Sequence, residues 1–166
     1  ILRSDWSSDV CSSDLGDTPP FKRNRMNKVK MIFRLLLGAF MTYAGVSHLT
    51  FNRLEFVAQV PMWLRFSEGF TDFVVLSSGV VEIALGLSML FLYKHKAVVG
   101  ALLALFFVLI FPGNLNQYFY HIDLFGLNTD TARLIRLFFQ PVLIAWALWS
   151  TGGWQVCKEW MSRLRK

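Results

Sequence analysis

The chain has 166 residues, of which 54% are hydrophobic and 17% charged, and its formal net charge at pH 7 is +6. A mean hydropathy of +0.43 indicates a protein whose solvent is the lipid bilayer, and the length fits one compact membrane domain. The positive charge is concentrated beside apolar segments, so it requires no nucleic acid as a partner.

The N-terminal segment differs from the rest of the chain. Residues 1–15 are polar and rich in Ser and Asp. Residues 5–15 resemble an in-frame translation of a common short-read sequencing adapter, and we exclude residues 1–15 from the fold prediction. Residues 16–28 are predicted to be an N-terminal tail, in which Met26 is a candidate initiator. A start at Met26 would leave Cys157 as the only cysteine.

Four apolar segments are long enough to cross a bilayer as helices, at about 20 residues each. They are residues 29–48, 73–93, 97–119 and 134–151. These runs are continuous and rich in Leu, Ala, Phe and Gly, whereas the strands of a membrane barrel alternate over shorter segments. The predicted fold class is therefore all-α, a four-transmembrane-helix bundle that occupies residues 29–152.

Basic residues predict the orientation of this bundle. Lys28 and Lys30 precede the first helix, and Lys94 and Lys96 lie between the second and third. A third cluster follows the fourth helix: Lys158, Arg163, Arg165 and Lys166. Because all three clusters fall on one side, the positive-inside rule makes that side cytoplasmic. Both termini are then inside, and residues 153–166 form a basic cytoplasmic tail.

The two connections on the predicted outer side differ from ordinary loops. Residues 49–72 contain enough apolar side chains to lie in the membrane interface, with Trp63 at the level of the headgroups. Pro61 would divide any helix there into two pieces, so we predict a short interfacial segment between helices 1 and 2. In the second connection, Asp130 or Thr131 is expected to cap the fourth helix.

Glu82 is the most informative polar residue, because it lies near the middle of the second span. A carboxyl group at that depth costs about 2.5 kcal/mol or more, so another polar group should face it. At about 1.5 Å per residue, the strongly polar residues of all four spans lie between the bilayer centre and the outer surface, except Arg34. Arg34 is near enough to the inner face to extend its side chain to water. The third helix is expected to end at Pro112 and Gly113.

These polar groups predict an outward-facing ligand pocket. Its candidate residues are Tyr43, His48, Glu82, Asn114, Gln117, Arg136 and Gln140. Glu82 and Arg136 are expected to meet there, directly or through water or a ligand. Structural roles stay open for each: Glu82 could hold helices together, His48 could be an interface residue, and Arg136 could be an ordinary anchor. Asn114 and Gln117 could satisfy backbone groups freed at a proline break.

Several short motifs follow one another along the spans: GVSH, VP, SSGVVEIALGLSML, FPGN and RLFFQP. Their order and spacing over residues 29–151 resemble the DoxX/DoxD-like family of small four-helix bacterial membrane proteins. Phe138 and Phe139 stand where a proline-containing RLPxQ is usual in that family, and Gly113 stands where alanine is common. The resemblance implies a multi-pass protein of the bacterial cytoplasmic (inner) membrane that is associated with oxidoreductase systems.

Missing motifs narrow the chemistry. The sequence has no CxxC, which excludes a disulfide-generating quinone reductase. Its three histidines are too scattered in depth for paired haem ligands, and no His/Glu spacing indicates a di-iron site. A dinucleotide fingerprint and a phosphate loop are also missing. We therefore expect no metal site, assign no catalytic residue, and expect no catalytic activity of the chain on its own.

Two functions remain open. In the first, the protein is an auxiliary membrane subunit that binds a quinone or another small ligand beside an oxidoreductase partner subunit. In the second, it is a carrier for a small solute or lipid, with Glu82 as a proton-coupled group. The first is favoured because four helices without an internal repeat are few for alternating access. The bilayer is a partner in both cases, and association with a second copy of the chain stays open.

Overall fold

A computed structural model describes residues 20–126 and 128–165, with side chains from residue 27 onward. Within these ranges the chain is helical: α1 (Pro20–Leu49), α2 (Arg53–Gln59), a 3-10 helix (Met62–Leu64), α3 (Glu68–Phe91), α4 (Lys96–Phe119), α5 (Asp130–Thr151) and α6 (Gly153–Leu164). The segment interpreted as adapter-derived, residues 1–15, lies outside the described residues.

Four of these helices are long and apolar enough to cross a membrane. They are Asn27–Leu49 within α1, and the whole of α3, α4 and α5. The predicted all-α fold with four spans is thus confirmed, and the chain is a multi-pass helical membrane protein. Which end of the bundle lies inside the cell stays a prediction based on the basic residues.

The ends of α5 and α4 differ from the sequence-based expectation. Thr129 caps α5, since its hydroxyl oxygen accepts the Ala132 N–H at 3.2 Å, so the prediction of Asp130 or Thr131 was wrong. Helix α4 continues through Pro112 to Phe119 instead of ending at the proline.

A polar side chain from α5 supports the irregular turn of α4. A proline inside a helix removes one backbone donor and distorts the preceding turn. In that turn, Gln140 Nε2 donates to the Phe107 carbonyl oxygen at 2.8 Å. Such support from a neighbouring helix is how transmembrane helices accommodate an internal proline.

Both predicted tails contain helix. Helix α1 begins already at Pro20, a residue type that suits the first turn of a helix. Gly152 ends α5 in the left-handed region, at φ +79°, and α6 follows directly. Exposed Trp154 and Trp160 share α6 with two basic residues, Lys158 and Arg163, a composition typical of a helix lying in the membrane interface.

Glycines let α1 and α3 approach closely. A Cβ on Gly45 would lie 2.6 Å from the Gly79 carbonyl oxygen, and a Cβ on Gly38 would lie 3.0 Å from that of Gly86. Small residues at such spacing allow helix backbones to meet in a membrane. The same contact sets His48 against α3, because a Cβ on Gly79 would lie 2.8 Å from His48 Cβ.

The four spans alternate in direction, with α1 against α3 and α4 against α5 as the most extensive pairs. We call the end covered by α2 and the 3-10 helix the cap end, and the end where α6 begins the basic end. Pro61 separates the two cap segments, as predicted. Each span contributes one fully buried residue to a core layer between the two ends: Leu37, Met89, Leu103 and Ala147, each 0% exposed.

Candidate functional site

A cavity of about 450 Å³ lies at the cap end, where residues of all four spans meet residues of α2 and of the α4–α5 connection. Its wall is mostly apolar, with Met41, Val75 and Leu143 among its buried residues. Exposed Trp63 of the 3-10 helix also lines it. A mostly apolar cavity of this size with a few polar groups is typical of a small-molecule site.

Six of the seven candidate residues line this cavity: Tyr43, His48, Glu82, Asn114, Arg136 and Gln140. Tyr43 contributes only an edge, because its side chain is 64% exposed and its ring packs near that of Phe51. Gln117 does not line the cavity. It is buried elsewhere, at 1% exposure, and its Nε2 has no hydrogen-bond partner among the described residues.

The deepest polar group of the cavity is Glu82, and it faces His48. The distance from His48 Nε2 to Glu82 Oε2 is 3.5 Å, longer than an ordinary hydrogen bond. Both residues are buried, and no other described atom bonds to Glu82 Oε2. The partner that a membrane carboxyl group requires therefore comes from α1.

Ser78 favours one tautomer of the imidazole. The Ser78 oxygen lies 2.8 Å from the Val75 carbonyl oxygen and 3.2 Å from His48 Nδ1, and a hydroxyl that donates to the carbonyl can only accept from Nδ1–H. A neutral His48 then turns an unprotonated Nε2 toward Glu82. The pair is satisfied when one proton lies between the two residues, bound to Nε2 or to Oε2.

Aromatic rings from the cap hold the imidazole in place. The ring centroids of His48 and Phe56 are 3.3 Å apart, and those of Phe56 and Phe125 are 4.7 Å apart. Phe125 has a positive φ of 57°, and its N–H donates to Glu55 Oε2 at 2.7 Å. A non-glycine residue held in this conformation by its surroundings is common at functional sites.

Amide side chains form a continuous hydrogen-bonded chain along the cavity wall, which we call the amide chain. Gln59 Nε2 donates to Asn114 Oδ1 at 2.6 Å, and Asn114 Nδ2 donates to Gln140 Oε1 at 2.7 Å. The sequence analysis missed Gln59. Its only signal was an amide at the end of an otherwise apolar stretch before Pro61.

Arg136 binds the end of the amide chain. Its Nη2 donates to Gln59 Oε1 at 3.3 Å, and its guanidinium lies 4.3 Å from the centroid of the Phe125 ring. Among the described residues it forms no ion pair, so the expected direct contact with Glu82 is missing, although both line one cavity. Water or a ligand would have to join them.

Arg133 is on the same helix but has a different role. Its guanidinium forms ion pairs with Asp123 and with Asp130, the latter at 2.5 Å, and Asp130 also contacts His121 at 2.8 Å. These contacts fasten the α4–α5 connection to the start of α5. Arg133 is therefore part of the scaffold and does not line the cavity.

In the described part of the chain, no group of three or more His, Cys, Asp or Glu side chains is placed to hold a metal ion. No curated protein and no solved structure matches the chain. Residues 37–151 match a family described as a domain of unknown function, DUF8561. The matched region contains every polar residue assigned above to the cap-end cavity. The chain belongs to the DUF8561 family.

Proposed function

We propose that this protein binds a quinone, or an equally small apolar ligand with hydrogen-bonding oxygens, in the cap-end cavity. It would do so as an auxiliary membrane subunit of an oxidoreductase system. The proposal rests on the buried His48–Glu82 pair. Glu82 Oε2 faces a mostly apolar cavity and accepts no hydrogen bond from any other described residue. A ligand oxygen at that point would complete the hydrogen bonding of the pair.

The donors of the cavity fit a ligand that accepts hydrogen bonds. Arg136 uses one nitrogen on Gln59 and keeps further N–H groups free for a ligand oxygen. Asn114 and Gln140 are engaged on both their oxygen and nitrogen atoms. They are positioning residues, because their hydrogen bonds fix the orientation of the Gln59 amide, which in turn accepts from Arg136.

The chain's own contribution would be orientation and a proton. A quinone supplies redox chemistry when bound, and its reduction consumes protons as well as electrons. The His48–Glu82 pair would hold a proton inside the mostly apolar wall, and Arg136 would attract negative charge on the ligand oxygen. Electrons would come from a partner oxidoreductase, a role supported by the DoxX-like order of motifs.

A carrier that uses Glu82 as a proton-coupled group is the second candidate. The buried carboxyl supports it, but the core layer closes the bundle between the two ends. Leu37, Met89 and Leu103 would have to separate for a solute to pass, and α1 and α3 are in backbone contact near that level. The closed core layer favours a binding site over a passage.

Tryptophan fluorescence tests the binding proposal. Of the tryptophans that the structure describes, Trp63 lines the cavity, and quinones quench tryptophan emission on contact. We expect saturable quenching when the protein in detergent is titrated with decylubiquinone, and loss of that component in Trp63→Phe. Glu82→Gln should weaken binding about tenfold or more, about 1.4 kcal/mol.

Glu159→Gln is the matched control, because Glu159 is an exposed carboxylate on α6. It should bind the quinone like the wild-type protein. Linear, unsaturable quenching that is the same in Trp63→Phe would contradict the proposal.

A further inference from the structure

A second cavity, of about 340 Å³, lies at the basic end and shares no lining residue with the first. Among the residues that the structure describes, its wall carries four cationic side chains, Lys28, Lys30, Arg34 and Lys96, and no carboxylate. Because like charges repel, placing these cations close together raises the electrostatic free energy of the protein. An anion bound between them would lower it again.

Arg34 is the central residue of this cavity. Sequence reasoning expected its side chain to extend to water, but it is only 4% exposed. Its Nε and Nη1 atoms are buried and have no hydrogen-bond partner among the described residues. A buried guanidinium without a partner is strongly unfavourable, above all in a membrane domain, so these N–H groups require an acceptor.

Aromatic rings hold the cations without neutralising them. Arg34 Cζ lies 5.1 Å and Lys96 Nζ 4.5 Å from the centroid of the Tyr93 ring. Lys30 Nζ lies 5.7 Å from the centroid of the Trp149 ring. Cation–π contacts fix positions but leave the N–H donors available. Three cations are thus arranged around a shared space, and no carboxylate of the described residues pairs with them.

The polar groups opposite the cations are already satisfied. The hydroxyls of Ser150 and Thr151 both donate to the Ala147 carbonyl oxygen, at 3.4 and 2.6 Å. The guanidinium and ammonium groups of the cavity form no hydrogen bond with the described residues, and the exposed side chains of Asn27 and Tyr93 add neutral donors to its wall. A ligand that fits them has several acceptor oxygens and negative charge, and a guanidinium fork matches a phosphate group best.

We propose that the basic-end cavity is a binding site for a phosphate group, carried by an anionic lipid headgroup or free in solution. Gly152 joins this cavity to α6, whose exposed Trp154 and Trp160 suit the membrane interface. Basic pockets between membrane helices at that depth bind lipid headgroups. The site is separate from the proposed quinone site and does not depend on it.

Thermal unfolding of the full chain in a non-ionic detergent tests this proposal. Phosphatidylglycerol, phosphatidylcholine and sodium phosphate would be added separately at matched ionic strength. We expect phosphatidylglycerol or sodium phosphate to raise the Tm of the wild-type protein, and Arg34→Gln to weaken that binding at least about tenfold. Without added anion, Arg34→Gln should unfold at the same or a higher temperature, because it removes an unpaired buried charge.

The separate additions identify the source of the phosphate group. A shift with phosphatidylglycerol alone assigns the site to a lipid headgroup, and a shift with sodium phosphate alone assigns it to the free anion. Lys158→Gln on exposed α6 removes the same charge outside the cavity and should keep the full shift. If Arg34→Gln fails to fold, the same Tm shifts are measured on Lys30→Gln, because Lys30 is a half-buried cation of the same cavity. The proposal is wrong if neither additive gives a shift that these cavity variants reduce more than Lys158→Gln does.

Discussion

His48 and Glu82 each make it possible for the other to be buried in the membrane domain. A lone carboxylate or a lone imidazolium at this depth would be a buried charge, whereas the two together need one proton and carry no net charge. Their environment is nearly closed, since the side chains are 9% and 5% exposed. The pair can hold a proton for a ligand without a permanent charge in the bilayer.

A double-mutant cycle measures this coupling. His48→Leu and Glu82→Leu should each destabilise the protein by about 1–3 kcal/mol, because each leaves the other group without a hydrogen-bonding partner. The double variant should lose clearly less than the sum of the two. Denaturant or thermal unfolding in detergent gives these values.

The same cycle between Glu82 and Arg136 is the control. These residues line one cavity but do not contact each other, so their losses should add in the absence of a ligand. Additive losses for the His48–Glu82 cycle would contradict the shared proton.

At the scale of elements, two helix pairs determine where the polar residues meet. Spacing along the sequence gives depth, which is why the depths of His48, Glu82 and Gln140 predicted a common cavity. It gives no information on which helices are neighbours. Glu82 was expected to meet Arg136 on α5, but glycine contacts place α1 beside α3, and His48 becomes its partner.

The helix ends likewise could not be predicted from spacing and hydrophobicity along the sequence. Continuous apolar runs predicted the four spans, because length and hydrophobicity alone define them. Thr129 as a cap and the continuation of α4 through Pro112 depend on particular side-chain hydrogen bonds. The amide chain was incomplete for a related reason, since Gln59 reaches the cavity only through the docking of α2.

Alanine at the glycine contact tests the α1–α3 pair. In Gly45→Ala the new methyl group would lie 2.6 Å from the Gly79 carbonyl oxygen and 2.9 Å from the Ile83 nitrogen. The helices must separate, which should cost about 1–3 kcal/mol. Thermal unfolding measures the loss, and decylubiquinone binding should weaken with it because His48 moves relative to Glu82.

Gly69→Ala is the matched control for that substitution. A Cβ at Gly69 meets nothing within 4 Å. Alanine there should be neutral or stabilising by up to about 1 kcal/mol, since it favours the helix. Equal stability of both alanine variants would mean that the backbone contact between α1 and α3 is not needed.

At the scale of the whole molecule, the two cavities face opposite ends of one bundle and differ in character. The cap-end cavity is mostly apolar with a buried acid, and the described residues of the basic-end cavity are cationic with no acid among them. The core layer of Leu37, Met89, Leu103 and Ala147 separates them. The proposed quinone site and the proposed phosphate site can therefore operate independently.

Orientation in the membrane decides which solution each cavity faces, and the basic residues predict it. Lys94, Lys96 and α6 should be cytoplasmic, which turns the basic-end cavity toward the anionic inner surface and the cap end outward. After Cys11→Ser and Cys157→Ser remove the two cysteines of the sequence, a single cysteine introduced at Asp123 or at His95 reports on one end of the bundle. Asp123 and His95 are both exposed, so either cysteine is accessible from its own side. In intact cells a membrane-impermeant maleimide should label Asp123→Cys and leave His95→Cys unlabelled until the membrane is permeabilised. The reverse labelling pattern would mean that the bundle has the opposite orientation in the membrane, with the cap-end cavity and Glu82 facing the cytoplasm.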